Sequence, residues 1–276
     1  MQEFLRQAGV ALNYQREMLI AALILIRTMP VVMLTPWLAG KLAPNEVKMG
    51  LGALLTILIW PLARDTVGDD LPLTAGPFLM LMIKEVFVGL VIGYVAAHVF
   101  WTVEMAGRLI DTVRGASMSE VMVPESGTRA TPIGDMFYQL LIIIFLAMDG
   151  HHIFFNAYFY SFQKIPLSRG IPLGPEMGPF IDYTIQLTGQ LLLVAVLLAA
   201  PIVAATFITD VVFGILNRVA PQLNAYFMSM PVKAMAGVIL ILVAMEPFIA
   251  RLQDFVVWSL SSIERTIEFL TLLPPA

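Results

Sequence analysis

Between Asp182 and Asp210 the chain carries no charged residue, and from Ala225 to Met245 Lys233 is the only one. A short polar corner joins these two greasy stretches, with Asn217, Arg218, Pro221, Gln222 and Asn224 crowded together before Pro231. Apolar runs of this length must satisfy their backbone groups internally, which means helices. Two such helices separated by a short corner pair as a hairpin. Arg218 in the last turn of the first helix complements the carbonyl end of its dipole, and Pro221 stops that helix. Gln222 and Asn224 need several hydrogen-bond partners if they are buried. The corner is therefore expected to be held by something other than bulk water, with Lys233 beyond it packing against a partner.

Composition places the whole chain in the same regime. Of 276 residues, 59% are hydrophobic and 13% charged, against roughly 45–50% and 25% in soluble domains. The mean hydropathy is +0.84. A net charge of −4 with no basic cluster argues against nucleic acid as a partner. The absence of cysteine excludes disulfides, thiolate metal sites and cysteine nucleophiles. Seventeen Met and seventeen Phe suit apolar packing that conforms to partners.

Apolar segments fall near 17–38, 47–63, 77–103, 133–148, 185–209 and 226–250, giving six spans by the usual reading, which asks for about 20 residues each. Arg27, Lys41, Lys48 and Asp135 interrupt several of them, and Pro30, Pro36 and Pro61 break others. Pro201 is expected to kink the longest. Distributing the flanking Lys and Arg alternately to two sides produces no inside-positive bias, contrary to the pattern of conventional spanning proteins. Hairpins packed against protein partners fit better than a serpentine. Arg27 and Pro30 follow the first apolar run and no small-residue cleavage site does, so the first helix is expected to stay in the mature protein.

Two polar connections stand out. The first continues the third apolar segment through Asp111 and Arg114, spaced to pair on one helical face. Gly115 then ends the helix, and a loop of Gly, Ser, Thr and Pro runs to Thr131. Loops this long are functional or disordered. The second, 164–182, is rich in Pro and Gly and reads as an extended linker. It divides the chain into 1–168 and 169–276.

Charges within apolar segments are costly, by at least about 2.5–3.5 kcal/mol on insertion scales. Arg27, Lys84, Glu85, Asp210, Lys233 and Glu246 are in that position. Arg27 and Lys84 either face a bundle interior or snorkel from a helix end. Lys233 and Glu246, read as lying on one helix, are too far apart to pair, so each calls for another helix or subunit. Asp149-Gly150-His151-His152 resembles a metal motif. Adjacent histidines point to different sides of a helix, however, and no third ligand lies nearby, so the motif reads as an interfacial turn. No G-x-S-x-G elbow and no P-loop occurs. The residues imply no enzyme, no cofactor and no metal.

G-I-L-N-R-V-A-P-Q-L-N (214–224), with Pro231 and Lys233 following, resembles the FliR/SctT family of type III secretion and flagellar export-gate proteins. So do G-R-L-I-D-T-V-R-G (107–115) with Pro124, Arg27 with Pro30, Pro44 with Lys48, and the histidine pair with S-F and I-P-L at 161–162 and 165–167. The resemblance implies an all-α, membrane-associated protein, a FliP-like portion fused to a FliQ-like hairpin. It implies a non-enzymatic core subunit of the export gate that helps form and close a channel for unfolded secreted proteins. The location implied is the bacterial inner membrane, at the base of a flagellum or injectisome. The partners implied are FliP/SctR-like and FliQ/SctS-like subunits, with FlhB/SctU-like and FlhA/SctV-like export proteins. The family's channel-occluding plug maps onto roughly Gly115–Thr131. Within it Met118 and Met122 are flexible apolar fillers for a constriction that excludes water and ions. Arg114-Gly115 and the M-P-V-K ending lean toward the virulence branch, the histidine-pair pattern toward the flagellar one, with the balance slightly flagellar. The alternative is a small-solute secondary transporter or channel subunit, although the two similar halves common in transporters are not seen.

Overall fold

A computed structural model of the chain describes residues 14–40, 43–67, 74–115, 131–170, 177–222 and 224–271. Among these the fold is all helical: α1 (Tyr14–Leu34), α2 (Pro36–Ala39), α3 (Asn45–Thr66), α4 (Ala75–Val113), α5 (Pro132–Ala147), α6 (Gly150–Lys164), α7 (Gly178–Val219), α8 (Ala225–Val243) and α9 (Met245–Thr271). α1, α3, α4, α7 and α8 are each long and apolar enough to cross a membrane, and α5 with α6 could supply one more. The six apolar segments of the sequence reappear in that form.

The boundaries follow from local chemistry. Thr35 adopts an extended backbone with Pro36 behind it at the first position of α2, where a missing N–H costs nothing. α4 and α7 contain 39 and 42 residues, or about 58 and 63 Å at 1.5 Å per residue. α7 runs on through Pro201. Gly115, at φ 83, ends the run after α4, since a side chain there would resist the left-handed conformation. Asp149, at φ 55, closes the turn between α5 and α6.

In its helix boundaries the structure departs from the sequence reading. The 164–182 connection is shorter than a linker, because α7 already begins at Gly178. His151 and His152 lie in α6, a helix rather than an interfacial turn, their ring centroids adjoin at 4.3 Å instead of diverging, and a third possible ligand does lie nearby, since Asp149 brings a carboxylate oxygen within 4.8 Å of a nitrogen of each. The last apolar segment ends at Val243, and a separate helix, α9, begins at Met245. Lys233 and Glu246 therefore belong to different helices. α9 buries Leu252, Val256, Ser259, Leu260, Ile263, Ile267 and Leu270, the three-and-four spacing of an amphipathic helix.

The chain forms two compact units, one from 1–97, 151–183 and 259–276, the other from 98–150 and 184–258. In the first, α1 packs along α3. Trp37 meets Phe154 and Phe155 edge-on, with centroids at 5.2 and 5.5 Å. Tyr183 at the start of α7 packs on Phe269 of α9 at 4.9 Å. In the second, Phe137 of α5 meets Phe248 of α9 at 4.4 Å, and Phe100 of α4 meets Phe145 at 5.4 Å. The hairpin arms stay bare. Only 28% of the apolar window of α7 and 22% of that of α8 is buried within the chain. Phe207, Ile208, Ile215, Phe227, Met235 and Val243 are among the residues that face outward.

Candidate functional site

In the first unit the charges of α1 and α4 meet in the interior. Arg27, Glu85 and Lys84 are all buried, and the Glu85 carboxylate is shared: Arg27 Nε donates to one oxygen and Lys84 Nζ pairs with the other. The end of α6 takes the remaining donors. Arg27 donates to the carbonyls of Ser161 (3.2 Å) and Ile165 (2.8 Å), and Lys84 to those of Pro166 (2.9 Å) and Leu167 (3.3 Å). The guanidinium also stacks over the Phe162 ring, 4.3 Å from its centroid, a favourable placement for a desolvated cation. Two cations against one carboxylate leave a positive excess. The excess faces carbonyls at the C-terminal end of the helix, where the macrodipole is negative; two of them, Ser161 O and Pro166 O, also accept the backbone amides of Ile165 and Arg169. Arg27 and Lys84 are thus interior residues and do not snorkel.

Sequence spacing could not give this arrangement, because the partners of Arg27 lie 58 to 138 positions from it. It depends on a close approach of backbones. Gly89 lies one turn after Glu85, and a Cβ there would overlap the Arg27 carbonyl oxygen. Beside it, Tyr158 donates to Thr28 Oγ1 at 2.8 Å, and Thr28 donates to Ile24 O at 2.7 Å, so the surrounding hydroxyls are also satisfied.

In the second unit the hairpin carries its own ion pair. Lys233 of α8 bonds Asp210 of α7, so its partner lies on the other arm of the same hairpin and not on another subunit. Asp210 is half exposed, and Glu246 is exposed at the start of α9. Asp111 and Arg114, spaced to pair with each other, reach different helices instead. The Asp111 carboxylate accepts the amides of Ile133 and Gly134, at 3.0 and 3.2 Å. Those amides belong to the first turn of α5, where helical N–H groups lack partners. Arg114 donates to Ala234 O of α8 at 2.6 Å.

The corner differs from expectation. Arg218 does occupy the last turn of α7, but Arg218, Pro221, Gln222 and Asn224 are all exposed, and Asn224 makes no side-chain cap. Among the described residues nothing buries the amides. Of the residues assigned to the plug, Gly115 is the helix stop already described, while Met118, Met122 and Pro124 lie outside the described residues.

The model of the family described as bacterial export proteins, family 1, matches residues 18–257. Yop proteins translocation protein T of Yersinia pestis is 30% identical over 234 residues, covering 84% of this chain and 88% of that protein. Secretion system apparatus protein SsaT of Salmonella typhimurium is 31% identical over 235 residues, covering 83% and 88%. Flagellar biosynthetic protein FliR of Bacillus subtilis is 31% identical over 170 residues, covering 61% and 65%.

Proposed function

The chain belongs to family 1 of the bacterial export proteins, and from that premise we propose that it is a core subunit of a type III protein export gate. The observation that carries this reading is the α7–α8 hairpin. Its arms leave most of their apolar surface uncovered while its one charged pair is closed internally. A large exposed apolar surface marks a contact with protein or lipid. The exposed Arg218, Gln222 and Asn224 at the apex add polar groups that a neighbouring helix end can bond. We assign this surface to FliP/SctR-like and FliQ/SctS-like subunits, with FlhB/SctU-like and FlhA/SctV-like proteins at the periphery. The hairpin is then the FliQ-like portion, the preceding helices the FliP-like portion, and the bacterial inner membrane the location. Unfolded secreted proteins are the cargo. The 115–131 connection narrows the closed channel. The chain's own role is structural: it performs no catalytic step and needs no cofactor.

The full chain co-expressed with the two small partner proteins is expected to purify as a stable complex and to show no transport alone. Saturable, ion-coupled solute uptake by the lone reconstituted chain would replace this reading with that of a transporter. Shortening the 115–131 connection in the assembled complex is expected to raise ion leakage in planar-bilayer recordings, and unchanged conductance would count against a plug. Arg218→Ala should leave the stability of the chain within about 0.5 kcal/mol, as for an exposed substitution, yet reduce the yield of complex in a pull-down. If complex formation and secretion both survive, the residue serves only the helix dipole.

A further inference from the structure

Arg114 follows the last residue of α4, and its Nη2 reaches the carbonyl of Ala234 on α8, 120 positions away in the chain. That carbonyl lies in the middle of a helix, where one lone pair serves the helical ladder and a second remains available. One turn from Lys233, Gly237 is buried, and a Cβ on it would lie 2.5 Å from both Cδ and Nε of Arg114. The arginine side chain therefore occupies a notch that exists because residue 237 has no side chain. Both flanks of the notch are tied down. Lys233, adjacent to Ala234, is bonded to Asp210 of α7. Asp111, one turn before Arg114, holds the Ile133 and Gly134 amides of α5. Three separate polar ties, Asp210 to Lys233, Arg114 to Ala234 and the Ile133 and Gly134 amides to Asp111, thus lie side by side along α7, α8, α4 and α5.

We propose that Arg114 is a positioning residue. Seated in the Gly237 notch, it locks the end of α4 to one register on the α7–α8 hairpin, and Asp111 extends that lock to the start of α5. An apolar contact would tolerate sliding. A planar guanidinium bonded to one carbonyl and filling one glycine notch does not, since a neighbouring position on α8 presents a Cβ in place of the gap. Lysine is a poor substitute, because a compact ammonium can reach the carbonyl but cannot fill the notch with a planar group. The consequence for export rests on the export-gate reading above. The lock itself does not, because all of its members are described residues of this chain.

The chain has no native cysteine, so Thr112→Cys and Met235→Cys, both exposed, can carry spin labels in the full assembled complex. Pulsed EPR should give one narrow distance for the parent. Arg114→Ala and Gly237→Val are each expected to produce a second, displaced population. The engaged-to-released ratio should change by about tenfold or more, the scale of losing a hydrogen bond from a charged group. Arg114→Lys should fall between. Gly237→Ala should displace the helices in the parent yet add little on top of Arg114→Ala, because the side chain it collides with is then gone. It is also the milder variant if the valine prevents assembly. An unchanged narrow distance in both Arg114→Ala and Gly237→Ala would overturn the lock. Ion leakage through the same complexes separates the two ideas. Displaced helices with raised leakage support both. Displaced helices with parental leakage support the lock and count against channel closure by the adjoining connection.

Discussion

Replacing Glu85 by alanine is expected to deplete the folded chain from the membrane fraction more than any other single loss of a side chain. Among the described residues its carboxylate is the only acid bonded to Arg27 and Lys84, and all three residues are buried. Its removal leaves two cations facing only backbone carbonyls. Breaking one partner out of a buried pair costs about 3–5 kcal/mol, chiefly as the penalty on the charge left behind. That is a large share of a total stability of roughly 5–15 kcal/mol. Glu85→Gln keeps the shape and one acceptor and should be intermediate. Replacing Arg27, Lys84 and Glu85 together by apolar residues of similar size should recover part of the loss, since apolar substitutes can match a buried ion cluster. Recovery should stay incomplete, because the carbonyls of Ser161, Ile165, Pro166 and Leu167 would each lose a side-chain donor, and among the described residues only those of Ser161 and Pro166 keep a backbone amide. Thermal unfolding of the detergent-purified chain measures the series. A midpoint for Glu85→Ala within about 2 °C of the parent, the shift that only about 1 kcal/mol produces in a chain of this length, would show that the cluster does not hold these helices.

The second large effect is expected at Gly89, one turn further along α4. A Cβ there would overlap the carbonyl oxygen of Arg27 and lie 3.1 and 3.3 Å from its carbonyl carbon and Cα. Backbone cannot swing aside as the tip of a side chain can, so α1 and α4 must separate. Separation also draws Arg27 away from Glu85. Overpacking alone costs about 1–3 kcal/mol, and the loosened ion pair adds to it, so Gly89→Val should be worse than Gly89→Ala. Gly50 on α3 is the internal control, because nothing lies within 4 Å of its Cβ position. Gly50→Ala should be neutral or stabilising by up to about 1 kcal/mol through helix propensity. Equal melting points for Gly89→Val and Gly50→Ala would contradict the close approach of the two helices.

Much of the architecture could be read from residues because the information is local. The apolar runs, the helix stop at Gly115 and the two-armed hairpin around 214–224 each follow from neighbours within a few positions. α6 and α9 were less visible. α6 mixes histidine, asparagine and aromatic residues in a short stretch, and α9 alternates charge with apolar positions, so neither reaches the hydropathy of a span. The three-and-four spacing from Leu252 to Leu270 was the signal that could have revealed α9. Asp111 and Arg114 show the limit of spacing rules: two residues that can pair are each captured by a better partner, one by the amides at the start of α5, the other by a carbonyl of α8.

What the sequence alone determined is the class of object: an apolar, cysteine-free, all-helical chain with charges in costly places and a polar hairpin corner. Those properties follow from transfer free energies and backbone satisfaction, which act residue by residue. Only the tertiary structure decided which charges meet. Arg27 finds Glu85 and the end of α6, Lys233 finds Asp210 rather than an outside subunit, and the corner amides stay exposed among the described residues. Ion pairing depends on a few ångströms of separation, and glycines such as Gly89 and Gly237 set that separation by what they omit. No local pattern encodes which helices will come that close.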